Sequence, residues 1–187
     1  MAAYADAVVS ERGTRPDVTN LGVAGWTTDD LRSFVTTDAD ARAALARADT
    51  VLVIIGANDL FRLGAARAGG PDPSALPGYL TTLAGRLDET LAAVREAHGD
   101  GDATFLVAGY WDILSADDDP EGTASLAMEA VNATICAAAE DAGMGFVDLD
   151  HAFAKAGGAS GLVSNDGLHP DAEGVRVIGE AFAAATP

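Results

Sequence analysis

Four short runs of aliphatic and β-branched residues recur along the chain, separated by longer stretches with helical spacing. The runs are VTNLGV (residues 18–23), TVLVIIGA (50–57), TFLVAGY (104–110) and GFVDL (145–149). The second and third are almost continuously apolar rather than alternating, the pattern of parallel strands covered on both faces by helices. Between the runs, Leu80, Leu83, Leu87, Leu91 and Val94 fall at spacings of three and four within 76–97, with Gly99 and Gly101 beyond as stops. Leu126, Val131, Ile135 and Ala138 line one side of a helix over 123–142 that Gly143 ends, and Val175, Ile178 and Phe182 mark a last helix over 171–185, entered through Pro170. Thr28 or Asp29 caps a helix running from Asp30 through Phe34, and Leu45 lies on another before the strand at Thr50. The opening residues form a helix with Tyr4, Ala7 and Val8 apolar and Gly13 as its end, while RAGGPDPSALPG (67–78) reads as a surface loop. Strands alternating with helices predict an α/β layered domain, in which ligands bind beyond the carboxyl ends of the strands. Those ends here are GVAGWTT, GANDL, YWDIL and DLDH.

The bulk properties narrow the partners. A chain of 187 residues with 49% hydrophobic content is one domain with a sizeable core. Eleven basic against 29 acidic residues leave a net charge of −18, which predicts repulsion from nucleic acid and from anionic membrane surfaces. Cys136 is the sole cysteine, so no internal disulfide forms, and it reads as a small buried hydrophobe. One cysteine and three scattered histidines assemble no zinc site, no run of 18 apolar residues crosses a bilayer, and no signal-peptide pattern opens the chain. The acidic stretch SADDDPEG (115–122) departs from a calcium loop, because Pro120 and Glu121 stand where alternating ligands and the turn glycine belong.

Two D-x-x-H patterns occur, Asp148–His151 in VDLDH and Asp166–His169 in DGLHP. A carboxylate that binds Nδ1 of an imidazole leaves Nε2 as a general base. The second pair has Gly167 to permit a tight turn and Pro170 at a helix start; the first has no turn to fold its side chains together, and His151 reads as a helix-start or surface residue. His98, at a helix end, is placed to act as a weak cation there. In IIGANDL, Asn58 can aim an amide donor into a cleft while Asp59 supports the loop, and Gly25 in NLGVAGWTT can offer a backbone N–H that approaches a ligand closely. Trp26, Phe61, Tyr110 and Trp111 fall just past strand ends, where they either cap the core or line a pocket.

NLGVAG, GANDL and DGLHP, in that order, resemble the second, third and fifth sequence blocks of the SGNH (GDSL-type) esterases and lipases, over most of the chain from Tyr4 onward. The resemblance implies a flavodoxin-like three-layer α/β/α sandwich that hydrolyses esters without metal or organic cofactor. It implies Asp166 and His169 as two members of a Ser-His-Asp triad, and Gly25 and Asn58 as oxyanion-hole donors. The implied substrate is a small-molecule, glycan or lipid ester. The first block of the family, GDS at the end of the first strand, is not found in this sequence. In a flavodoxin-like sheet that strand is interior, between 18–23 and 50–57, and leaving buried backbone groups unpaired there costs about 1–3 kcal/mol each. The expectation is therefore a single domain, 1–187, shortened at its N-terminus, whose nucleophile is absent. Ser10 and Ser33 sit on helices, and Ser164 would need its loop to fold back towards His169. A different reading is a non-catalytic module that keeps the cleft to bind a carboxylate or acyl group; the retained Asp166 and His169 favour the hydrolase.

Overall fold

A computed structural model describes residues 1–62, 74–112 and 123–187. In chain order the elements are α1 (Ala2–Arg12), α2 (Thr28–Thr37), α3 (Ala39–Leu45), β1 (Thr50–Val53), α4 (Ala57–Arg62), α5 (Leu76–His98), β2 (Thr104–Ala108), α6 (Thr123–Asp141), β3 (Gly145–Val147), α7 (Leu149–Lys155) and α8 (Ala172–Ala185). The three strands form one parallel sheet in the order β1-β2-β3, with Thr50 opposite Thr104 and Leu106 opposite Gly145.

Strand alternation sorts the core into two clusters, one on each face of the sheet. Val51, Val53, Ile55, Phe105 and Val107 pack with Val35 of α2, Leu83, Leu87 and Leu91 of α5, and Val131 and Ile135 of α6. Leu106, Ala108 and Val147 pack on the opposite face with Tyr4 and Val8 of α1, Phe153 of α7, and Val177 and Phe182 of α8. Helix, sheet and helix thus make the expected three-layer α/β/α sandwich. α1 and α8 approach so closely at Gly179 that a β-carbon there would stand 2.5 Å from the carbonyl carbon of Ala3.

Local chemistry sets the helix ends. α2 opens with a reciprocal capping box: Asp30 N–H donates to Thr27 Oγ1 at 3.3 Å, and Thr27 N–H donates to Asp30 Oδ2 at 2.9 Å. Thr27 is therefore the cap, one residue ahead of the expected Thr28. At the start of α8, Asp171 Oδ1 accepts from the N–H groups of Glu173 and Gly174, both at 2.9 Å. α1 ends at Gly13, whose φ of 72° is the left-handed conformation of a helix stop.

Several sequence expectations need correction. Residues 18–23 form no strand, because a strand exists only with a hydrogen-bonded neighbour and no described residue pairs with this run. The runs at 50–57, 104–110 and 145–149 start where expected but end early, since Ile54–Gly56, Gly109–Tyr110 and Asp148–Leu149 turn towards the loops and helices that follow. His98, at the end of α5, is buried, with Nε2 3.1 Å from the Ala48 carbonyl oxygen and its ring edge-on to Phe105. Cys136 is half-buried rather than buried; its Sγ lies 3.7 Å from Glu140 Oε1, and burial followed by that carboxylate pushes the thiol pKa up. The acidic stretch 115–122 and most of the loop 67–78 lie outside the described residues, as does the side chain of Phe61.

Candidate active site

The segment leading into α8 is closed on itself. Ser164 N–H donates to the His169 carbonyl at 2.7 Å, Val163 and Pro170 form an antiparallel bridge, and Asp171 N–H donates to the Leu162 carbonyl at 2.9 Å. Gly167 turns the tip with a φ of 69°, a conformation that disfavours any side chain. Within this small hairpin Asp166 does two things. Its Oδ1 accepts the backbone N–H groups of Leu168 at 2.9 Å and His169 at 3.0 Å, and its Oδ2 lies 2.8 Å from His169 Nδ1. The Leu168 N–H, the imidazole and the His169 N–H together hold the Asp166 carboxyl down at about 2, so it is ionised across the working pH range. An ionised carboxylate at Nδ1 favours the tautomer with its proton on Nδ1, and the lone pair then sits on Nε2. The His169 side chain is 73% exposed, so Nε2 is open to solvent.

Gly25 and Asn58 belong to a second assembly. Gly25 is exposed with a φ of 85°, in a turn closed by Trp26 N–H to the Val23 carbonyl at 3.4 Å. Asn58 Nδ2 donates to the Trp26 carbonyl at 2.9 Å, which joins the end of β1 to the turn that carries Gly25. That amide nitrogen carries a second N–H. Asp59 is fully buried, and its carboxylate accepts Thr28 N–H at 2.9 Å, Thr28 Oγ1–H at 2.6 Å and Arg86 Nη1–H at 3.3 Å. Thr90 of α5 adds its hydroxyl to the Thr28 carbonyl at 3.1 Å. Nearby, Ala57 N–H donates to the Tyr110 hydroxyl at 3.2 Å, and burial pushes that phenol up to about 12. The Asn132 amide clamps Tyr110 from the other side, accepting its N–H at 2.8 Å and donating to its carbonyl at 2.7 Å.

The structure brings Gly25, Asn58 and Asp59 into one hydrogen-bonded unit, and Asp166 and His169 into another. Among the described residues no hydrogen bond joins the two. The other D-x-x-H pattern resolves as a helix cap: Asp148 Oδ1 accepts the backbone N–H of His151 at 2.9 Å at the start of α7. The Ser164 hydroxyl points to the Pro170 carbonyl at 3.4 Å, and Ser10 and Ser33 lie within α1 and α2. Trp111 is buried and stacked on Phe153 with ring centroids 4.7 Å apart, and Trp26 rests on Phe34 at 4.9 Å, so both aromatics contribute to packing. No group of three or more His, Cys, Asp or Glu that could hold a metal occurs among the described residues. Sequence reasoning missed Thr28, Arg86, Thr90 and Asn132, whose partners lie 22 to 62 residues away along the chain. No local spacing announces them.

A parallel three-layer sandwich with an Asp-paired histidine before its last helix and amide donors past the end of β1 has the outline of a hydrolase of the flavodoxin-like class. The chain belongs to the GDSL-like lipase/acylhydrolase family, whose family model matches residues 1–177. Solved structures share the fold. A lipase, Lip_vut3, from a goat rumen metagenome superposes with a TM-score of 0.80 at 14% identity, covering 98% of this chain and 85% of its own. A putative GDSL-like lipase from Parabacteroides merdae superposes with a TM-score of 0.69 at 18% identity, covering 98% and 79%. The W215I variant of Axe2, an acetyl xylan esterase from Geobacillus stearothermophilus, gives 0.68 at 19% identity, covering 98% and 78%. A search of curated proteins gave no match. Membership in this family makes the chain a relative of carboxylic ester hydrolases, and no helix among the described residues is long and apolar enough to cross a membrane.

Proposed function

We propose that this domain is the acid–base and oxyanion-binding part of a carboxylic ester hydrolase. His169 is its general base, Asp166 orients that base, and Gly25 N–H with the free N–H of Asn58 receives the developing oxyanion. The observation that carries the reading is the 2.8 Å contact of Asp166 with His169 Nδ1, in a hairpin that fixes both residues and leaves Nε2 exposed. With a hydroxyl presented to Nε2, the hydroxyl oxygen attacks the ester carbonyl carbon as His169 takes its proton. The carbonyl oxygen becomes an oxyanion at the two donors, and the C–O bond then breaks as His169 returns the proton to the leaving alcohol. Water repeats the sequence on the acyl group and frees the acid. Asp59 supports the donor loop through Thr28. No metal or organic cofactor takes part.

Among the described residues, Ser164 points to the Pro170 carbonyl and Ser10 and Ser33 lie within helices rather than at a strand-to-helix elbow, so none of these three is assigned that hydroxyl. The expected result is that the purified chain shows no serine-dependent turnover of short-chain p-nitrophenyl esters. Hydrolysis abolished by Ser164→Ala would overturn this assignment. When a hydroxyl is restored, turnover that survives His169→Gln or Asp166→Asn would reject the roles given to the pair. An ester panel running from acetylated sugars to long-chain acyl groups then separates a carbohydrate esterase from a lipase.

A further inference from the structure

We infer that Tyr110 and Asn132 are positioning residues that set where the Asn58 amide stands. The inference deepens the ester-hydrolase reading, in which that amide receives the oxyanion. Asn58 lies on α4, and α4 leaves β1 through Gly56, whose φ of 119° is a conformation that side chains disfavour. A glycine pivot has little directional preference of its own, so a six-residue helix beyond it takes its direction from its tethers. Asp59, one residue after Asn58, holds one side through Thr28 and Arg86. Ala57, one residue before it, donates its N–H to the Tyr110 hydroxyl at 3.2 Å. That N–H is one of the first-turn donors that no carbonyl within the helix accepts. Asn58 is thus fixed from both sides, and its Nδ2 reaches the Trp26 carbonyl at 2.9 Å.

The Tyr110 hydroxyl is itself held. β2 pairs with β3 as far as Ala108 and Val147, and one further bond, from Gly109 N–H to the Val147 carbonyl at 3.2 Å, ends the ladder. Tyr110 then finds its partner in α6, where the Asn132 amide accepts its N–H at 2.8 Å and donates to its carbonyl at 2.7 Å. A side-chain amide offers the same donor and acceptor as a peptide group, so Asn132 stands in for a neighbouring strand. Gly109 makes this approach possible, because a β-carbon there would lie 2.7 Å from Asn132 Oδ1. The Tyr110 ring packs against the core clusters on both faces of the sheet, which restricts the swing of its hydroxyl. Burial keeps the phenol uncharged, with its pKa pushed up to about 12. One hydrogen-bonded series therefore runs from α6 through the end of β2 to α4 and on to the turn that carries Gly25. Asn132 reaches Asn58 along this series only through Tyr110.

The test compares Tyr110→Phe, Asn132→Leu and the double variant of the full chain by NMR, each checked by urea unfolding to be folded under the conditions used. Tyr110→Phe keeps the ring and removes only the acceptor, so exchange of the Ala57 N–H is expected to quicken about tenfold and the Asn58 side-chain amide resonances to move. Asn132→Leu is expected to move the same resonances. Added to Tyr110→Phe it should move them no further, whereas two residues that serve packing alone would have additive effects. Should Asn132→Leu fail to fold, Asn132→Asp, which keeps an acceptor for the Tyr110 N–H but has no donor for its carbonyl, takes its place. The inference is overturned if the Asn58 resonances stay put in Tyr110→Phe, or if the two effects on them add. Sodium acetate, the carboxylate product of an acetyl ester, tests the underlying reading separately. It is expected to shift the Gly25 N–H and Asn58 resonances of the unmodified chain, and to bind Tyr110→Phe about tenfold more weakly. Equal binding to both proteins overturns the positioning role. Acetate that leaves both resonances of the unmodified chain unmoved defeats the oxyanion-binding reading, while the response of Asn58 to the substitutions still decides the positioning.

Discussion

Removing the carboxylate of Asp59 isolates what the buried network contributes. Asp59→Ala leaves Thr28, itself fully buried, with a backbone N–H and a hydroxyl that both lose their acceptor. A buried donor deprived of its partner costs about 1–3 kcal/mol. The Arg86 guanidinium is one-third exposed and also lies 3.7 Å from Asp29, so water and that second carboxylate absorb most of its loss. Two orphaned donors therefore predict a destabilisation of roughly 2–6 kcal/mol, against a total of about 5–15 kcal/mol for a domain. At about 2–4 °C per kcal/mol for a chain of this size, the melting temperature falls by roughly 4–24 °C. Asp59→Asn keeps one acceptor oxygen but turns an NH2 group towards a donor, and its loss is expected to be intermediate, about 1–3 kcal/mol. Urea unfolding at pH 7 measures both variants, and the Asn58 side-chain amide resonances report whether the donor loop has moved. A loss below about 0.5 kcal/mol for Asp59→Ala, the scatter of neutral surface changes, would refute the claim that this carboxylate holds the loop.

Three further outcomes follow from the same geometry. The Asp166 carboxyl, lowered to about 2 by the Leu168 N–H first and then by His169, stays ionised well below the ordinary carboxylate range, and carboxyl carbon NMR should show its titration near pH 2. Because the folded value is depressed, the stability this group adds is complete above about pH 4 and is lost as pH falls through 2; a titration near pH 4 would contradict the hairpin geometry. Gly179→Ala is expected to destabilise by about 1–3 kcal/mol even though alanine is the better helix former, because its β-carbon meets the Ala3 backbone at 2.5 Å; a gain in Tm would refute the α1–α8 contact. The Trp111 indole N–H is buried with no hydrogen-bond partner among the described residues, so Trp111→Phe, which keeps a ring over Phe153, should change unfolding free energy by less than about 1.5 kcal/mol, whereas Trp111→Ala should cost about 3–5 kcal/mol.

The long helices were legible in the sequence because packing repeats along them: the leucines from Leu80 to Leu91 mark α5 almost to its ends, and Phe182 anchors α8, although Val175, expected on its buried side, is exposed. Strand starts at Thr50, Thr104 and Gly145 were equally plain. Strand ends were not, since Ile54 and Ile55 are as apolar as the strand itself and only the turn at Gly56 and Ala57 marks the change. α4 and α7, six and seven residues long, are too short to establish a period. The run 18–23 shows the limit from the other side, because its pattern is that of a strand and its conformation depends on a neighbour. At the candidate site, Asp166 and His169 could be read together because every bond between them spans three residues or fewer. Asp59 could be singled out in GANDL, but its hydrogen-bond partners Thr28 and Arg86, 31 and 27 residues away, could not.

This difference in reach bears on how the protein comes apart. The Asp166–His169 hairpin closes over ten residues, from Leu162 to Asp171, so it can form early and survive local opening elsewhere. The Gly25–Asn58 unit depends on α2, the end of β1 and α5 docking together, and it can be lost while the histidine keeps its partner. Gentle heating or low denaturant should therefore melt the proposed oxyanion-binding half first. The protein would pass through a form that keeps the proposed base but has lost the donors proposed to steady the charge that base would create.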